Sequence, residues 1–232
     1  MAAGLGTRFG KYTEKIPKGF IHCGEMSMVE RSIKTLIDCG ITRIIIGTGY
    51  QKEMYEALQL LYPEVECVFS PRYAETNSMY TLYNCRVSIG NDDFILLESD
   101  LIFEKMAITA LMDCPEPDVM LITPVTKFQD QYYVEYGRGH RLTNCSTDEK
   151  SLHVKGELVG VHKLSSEFYH LMCDDYDAKV DDNLKLGYEY QLLLMSRSIR
   201  KVYVLKINGL KWYEIDDTDD LDYAEKNILK YL

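Results

Sequence analysis

A chain of 232 residues is long enough to bury one α/β core without disulfides or a structural metal. Its net charge of -10 excludes a long nucleic-acid ligand, which needs many Lys and Arg side chains along one face, while a single nucleotide remains compatible with local cations and a metal. The seven cysteines are odd in number and scattered without a Cys-x-x-Cys pair, so neither a disulfide framework nor a zinc site is suggested, and the lack of a signal-peptide pattern or membrane-length apolar run predicts a soluble, cytoplasmic protein.

The chain opens on a glycine-rich loop, Ala2-Ala3-Gly4-Leu5-Gly6-Thr7-Arg8-Phe9-Gly10, followed by Pro17-Lys18-Gly19. Gly4 and Gly6 let backbone N–H groups approach phosphate oxygens closely, and Arg8 and Lys18 can supply charge to a triphosphate. The loop is neither a P-loop nor a dinucleotide-binding fingerprint, because it lacks the Gly-Lys-Ser/Thr ending and its third glycine is misplaced. Ser27-Met-Val-Glu30 reads as a capping box, and Val29, Ile33, Leu36 and Ile37 follow at helical spacing until Gly40. Ile41 to Ile46 is a β-branched run closed by Gly47, a buried strand. A helix near Gln51 to Leu61, a strand at Val65 to Phe69, a helix after Ser78 and a strand at Asp93 to Leu97 continue the alternation, which predicts a mostly parallel sheet. Beyond it, Val119 to Thr123, Tyr132 to Tyr136, Arg141 to Cys145 and Leu158 to Val161 read as strands with short connections, some antiparallel. A last helix starting at Thr218 places Leu221, Ala224, Ile228 and Leu229 on one face. None of the five histidines has triad or metal spacing, and most are expected at the surface.

Ala-Gly-Leu-Gly-Thr-Arg with Pro-Lys about ten residues on resembles the signature of the nucleotidyltransferases that activate sugar phosphates and phosphocholine. Further segments, Glu75-Thr-Asn-Ser-Met-Tyr-Thr-Leu-Tyr83, Leu97-Glu-Ser-Asp-Leu101, Gly156-Glu-Leu-Val-Gly160, Tyr188-Glu-Tyr190 and Trp212-Tyr-Glu-Ile-Asp-Asp217, make the chain most similar to the cytidylyltransferases of amino-alcohol phosphates and 2-aminoethylphosphonate. The resemblance implies a mixed α/β fold of nucleotide-diphospho-sugar transferase type, Rossmann-like, with helices flanking a mostly parallel central sheet. It also implies one nucleotidyltransferase domain over 1–232, with a nucleotide-binding half to about residue 125 and an acceptor-binding half from about residue 126. Family members carry an apolar strand just before the glycine loop; this chain begins inside that motif, so the first strand is expected to be missing or truncated.

By the same resemblance, Asp100 and Asp216 are the Mg²⁺ ligands, and Lys18 and Arg8 are the catalytic cations. The backbone of Ala2, Ala3, Gly4 and Gly6, together with Thr76, Asn77 and Ser78, holds the nucleotide. Asn77 and Ser78 equally suit the cap of the following helix. Glu189, Tyr190 and Trp212 are candidates for the acceptor's amine, which needs an anionic or aromatic partner, although aromatic residues at such spacing more often pack in a core. Asp217 has the position of a helix cap. The implied reaction is Mg²⁺-dependent transfer of CMP from CTP to 2-aminoethylphosphonate. The alternatives are phosphocholine or a sugar 1-phosphate as acceptor, or a non-enzymatic nucleotide sensor; intact Lys18, Asp100 and Asp216 argue against the last.

Overall fold

The computed structural model describes residues 1–127 and 131–232. The chain divides into two compact units: Met1–Ile89, Glu98–Lys105 and Lys211–Leu232 form one, and Gly90–Leu97 and Met106–Leu210 form the other.

In the first unit the strands Ile44–Thr48 and Val65–Phe69 pair in parallel, rung by rung from Ile44 opposite Val65 to Thr48 opposite Phe69. The helix Lys52–Leu58 lies between them in sequence and makes the crossover that parallel pairing requires. The helix Met28–Asp38 begins where the capping pattern places it, with Ser27 Oγ accepting from the Glu30 N–H at 3.4 Å. The Ser27 hydroxyl also donates to the Glu30 carboxylate at 2.6 Å, so the box closes side chain to side chain. Gly40, at φ 85°, ends this helix in the left-handed conformation that glycine adopts freely. At the position where family members carry the first strand, expected here to be missing or truncated, Ala2 forms a single parallel bridge to Thr48, its N–H donating to Gly47 O at 2.8 Å.

A second ladder in this unit is antiparallel: Trp212, Tyr213 and Glu214 lie opposite Phe103, Ile102 and Leu101. Phe9, Ile21, Cys23, Met28, Ile102, Ile215 and Ala224 form one buried apolar cluster, with Leu221, Ile228 and Leu229 packed against it. The last helix, Thr218–Asn227, therefore buries the predicted face against residues from the start of the chain.

The second unit is built on one sheet in the order Tyr203–Lys206, Val119–Thr123, Gly156–Leu164, Tyr133–Tyr136, Leu142–Ser146, with Phe94–Leu97 also paired to Gly156–Leu164. Tyr203–Lys206 runs parallel to Val119–Thr123, and the other ladders are antiparallel. The mixed α/β class is as expected, but among the described residues parallel pairing of strands is confined to two ladders. Phe94–Leu97 in particular is antiparallel to its partner, whereas βα alternation had predicted a parallel strand. A short apolar run records burial and not the direction of its neighbour, so the alternation overstated the parallel share.

His22, His140 and His153 are exposed, as expected, and His170 is half-buried. His162 is the exception: it is 0% exposed on Gly156–Leu164, with Nε2 3.0 Å from the Tyr188 hydroxyl. Burial lowers its pKa from 6.5 to about 3, so between those values the unfolded chain binds a proton that the folded chain refuses, and acid opposes folding. We expect this residue to remove stability at a rate approaching about 1.4 kcal/mol per pH unit as pH falls below 6.5. Urea unfolding at a series of pH values, with His162→Gln as the comparison, measures the difference; parallel curves would contradict it.

Candidate active site

The site begins with the glycine loop. Gly6 is left-handed, at φ 62°, and turns the backbone into the short helical segment Thr7–Thr13, where Thr13 Oγ1 donates back to Gly6 O at 2.8 Å. Burial of Phe9 in the apolar cluster fixes this segment and leaves neighbouring Arg8 half-exposed. Gly4 differs, since a Cβ there would meet no protein atom within 4 Å.

Lys18, Asp100 and Asp216 converge. The Lys18 ammonium lies 2.6 Å from Asp100 Oδ2 and 2.5 Å from Asp216 Oδ1, and Arg8 reaches Asp216 Oδ2 at 2.9 Å. The antiparallel ladder makes this possible. Its register continues past Leu101 and Glu214, with the Ile215 N–H donating to Asp100 O at 3.0 Å, so the two aspartates approach although 116 positions separate them. Asp216 is further fixed by Asp220, whose buried carboxylate accepts from the Asp216 N–H at 3.0 Å and from the Tyr213 hydroxyl at 3.3 Å. Asp217 caps the last helix by accepting from the Asp220 N–H at 2.9 Å, as its position predicted.

These charges stand largely out of water: the exposures are 13% for the Lys18 side chain, 19% for Asp100 and 3% for Asp216. Burial by itself would depress the Lys18 pKa, but Asp100 and Asp216 reverse this and raise it, so Lys18 stays charged.

Two further carboxylates belong here and were not singled out from the sequence. Ligand oxygens of Glu98, Asp100 and Glu214 all lie within 4.8 Å of one another. Loss of hydration pushes the Glu214 carboxyl well above its ordinary range, and Asp100, Glu98 and Asp216 push it further, with Lys18 opposing them. Asp100 Oδ1 is buried and accepts no hydrogen bond from the described residues. The signal was present: Glu98 and Glu214 each stand two residues before an aspartate, the spacing that puts side chains on one side of an extended chain. Fully ionised, the four carboxylates Glu98, Asp100, Glu214 and Asp216 outnumber the cations near them, Lys18, Arg8 and the Met1 amine, which leaves a deficit of positive charge. An oxygen-only donor set with that deficit and an unserved buried oxygen fits a hard divalent cation.

The other predicted residues are placed as follows. Thr76 is buried, with its hydroxyl on Arg72 O at 2.7 Å. Asn77 is the cap of Ser78–Asn84, its side chain accepting from the Ser78 N–H at 2.8 Å. Trp212 is buried on its strand. Glu189 and Tyr190 belong to the other unit, on the first turn of the helix Tyr188–Ser198; Glu189 is buried, and the Tyr190 ring packs edge-on against Tyr132 with centroids 5.5 Å apart.

Residues 1–169 match the MobA-like NTP transferase domain. The choline-phosphate cytidylyltransferase of Streptococcus pneumoniae is 30% identical over 245 residues, covering 99% of this chain and 96% of that one. The 2-aminoethylphosphonate cytidylyltransferase of Lancefieldella rimae is 34% identical over 102 residues, 44% of this chain and 42% of that one. Among solved structures, the CTP:phosphocholine cytidylyltransferase of S. pneumoniae superposes with a TM-score of 0.82 at 25% identity, over 97% of this chain and 95% of that one. The inositol-1-phosphate CTP transferase of T. maritima, at 17% identity and a TM-score of 0.81 over 97% and 94%, shares the fold. The mixed α/β architecture is that of the nucleotide-diphospho-sugar transferases, and the chain belongs to the MobA-like NTP transferase family and is a nucleotidyltransferase.

Proposed function

We propose that the protein is a Mg²⁺-dependent cytidylyltransferase, joining CMP from CTP to 2-aminoethylphosphonate with release of pyrophosphate. The observation that carries this reading is the Lys18 ammonium seated between Asp100 and Asp216, with Arg8 alongside and the glycine loop leading into it. The nucleophile is an oxygen of the phosphonate. Such groups are largely ionised at neutral pH, since a phosphate loses its second proton near pH 6, so no general base is required. Catalysis then consists of aligning that oxygen with the α-phosphorus opposite the departing pyrophosphate, while Lys18 and Arg8 offset the repulsion between anions. Glu98, Asp100, Glu214 and Asp216 are the residues that would hold Mg²⁺, which supplies charge neutralisation of the phosphates.

The backbone of Ala2, Ala3, Gly4 and Gly6 takes the phosphates, and Thr76, Asn77 and Ser78 offer donors and acceptors to the cytosine edge. For the acceptor, a primary ammonium calls for a carboxylate, which favours Glu189; Tyr190 and Trp212 are aromatic candidates, each within its own unit. The 34% identity to an aminoethylphosphonate enzyme supports this choice. Phosphocholine is the second reading, favoured by similarity along the full length to a choline-phosphate enzyme.

Incubation with Mg²⁺ and each of four nucleoside triphosphates, paired with 2-aminoethylphosphonate, phosphocholine or glucose 1-phosphate, should release pyrophosphate fastest with CTP and the aminoethylphosphonate. A preference for another pair corrects the substrate, and silence from every pair sinks the reading. Lys18→Ala and Asp100→Ala should each lower kcat by at least about a hundredfold in folded protein; near-normal rates in either would refute their assignment. Gly4→Ala should leave Tm unchanged, because a methyl there meets no protein atom, and should raise KM for the nucleotide several-fold.

Glu214→Gln removes one of the crowded anions. Because the folded-state pKa of Glu214 is raised, its charge costs stability once pH climbs above its ordinary value, and that cost is absent below about pH 4.5. Without Mg²⁺, the variant should melt about 2–4 °C higher than the parent at pH 7.5, the shift expected for about 1 kcal/mol. Added MgCl₂ should raise Tm more in the parent than in the variant. Calorimetry that found the variant less stable without metal would reject this account of the charge cluster.

A further inference from the structure

Lys18 and Asp100 reside on two different turns, and one buried side chain touches both. Tyr55, on the helix Lys52–Leu58, is 1% exposed, with its ring edge-on to Phe20 at a centroid distance of 5.0 Å. Its hydroxyl hydrogen-bonds the backbone of Gly19 and the side chain of Ser99. Gly19 directly follows Lys18, and Ser99 directly precedes Asp100. The approach is close: a Cβ on Gly19 would lie 2.9 Å from the Tyr55 hydroxyl oxygen and 3.3 Å from Ser99 O. Glycine at this position thus answers to contact, and the absent side chain is what lets the two turns and the phenol meet.

We infer that Tyr55 is a positioning residue for nucleotidyl transfer, its hydroxyl tying the lysine-bearing turn to the carboxylate-bearing turn and so setting where the Lys18 ammonium meets Asp100. The inference rests on Lys18 and Asp100 being the reacting-site groups of the proposed reaction. Tyr55 touches no phosphate; it acts through its neighbours in sequence and space. Burial raises the pKa of its hydroxyl, and the charge of Asp100 raises it further, so the group keeps its proton throughout the range of an enzyme assay. A proton-transfer role would make the pH profile of kcat change when the hydroxyl is removed; a positioning role leaves that profile in place and lowers it uniformly.

Tyr55→Phe deletes the hydroxyl and keeps the ring against Phe20. It should lower kcat about tenfold, the kinetic equivalent of one buried hydrogen bond, with KM for CTP and acceptor unchanged within about twofold and the pH profile unmoved. Ser99→Ala should cause a smaller loss. The double variant should be no slower than Tyr55→Phe alone, because the second change removes a partner already lost. Independently of turnover, the ¹⁵N resonance of the Lys18 ammonium should shift in both single variants. Wild-type kcat in Tyr55→Phe, losses that multiply in the double variant, or an unmoved Lys18 resonance would each overturn the inference. Should Tyr55→Phe fail to fold, Ser99→Ala decides by the same two readouts. A parent protein that releases no pyrophosphate while its Lys18 resonance responds to Ser99→Ala would refute the proposed reaction and leave the tether standing.

Discussion

The architecture of the first unit turns on one ammonium group held between two carboxylates. Lys18 touches Asp100 and Asp216 at 2.6 and 2.5 Å, and nothing in the local sequence of any of the three requires the other two. Removing such charges from water is costly, and the arrangement persists only because each is partnered. The stabilisation is paired with a deliberate excess: more carboxylates gather than cations, and Glu214 bears the strain as a raised pKa. If Mg²⁺ binds as proposed, it would offset this excess and lessen its repulsion of a triphosphate.

Packing delivers those charges to one place. The apolar cluster gathers Phe9 from the glycine loop, Ile21 and Met28 from the segment after Lys18, Ile102 beyond Asp100, and Ile215 and Ala224 around Asp216. Each charged residue therefore sits within a few positions of an anchor in a common core. The hydrophobic effect supplies the convergence, and the polar contacts, such as Asp220 accepting from the Asp216 N–H, set the final orientation.

Much of this was legible in the sequence, for identifiable reasons. Lys18, Asp100 and Asp216 lie in compact motifs whose spacing survives without knowledge of the fold. The helix from Ser27 announced itself through its cap and its apolar period, and Asp217 through its place ahead of Thr218. Glu98 and Glu214 stand inside those motifs, two residues ahead of Asp100 and Asp216, but their approach to one another depends on the ladder that pairs 101–103 with 212–214, which no local pattern announces. The direction of Phe94–Leu97 was not legible, because its partner lies some sixty positions away and four apolar residues say nothing about it. His162 carries no local sign of burial, and Tyr55 is one tyrosine among eighteen, distinguished only by what surrounds its hydroxyl.

The antiparallel ladder between 101–103 and 212–214 has a consequence for how such a chain can diversify. The long stretch Met106–Leu210 leaves after one rung and returns before the matching one, so the register of the charged residues is decided by the ladder and is indifferent to the length of what lies between. Loops in that stretch are free to grow, shrink or change composition while the aspartates keep their alignment. A single residue inserted between Trp212 and Asp216 would instead turn the carboxylate to the opposite side of the strand. Variation within the excursion is thus separable from the register of the charged residues, which depends on the few positions at its two ends.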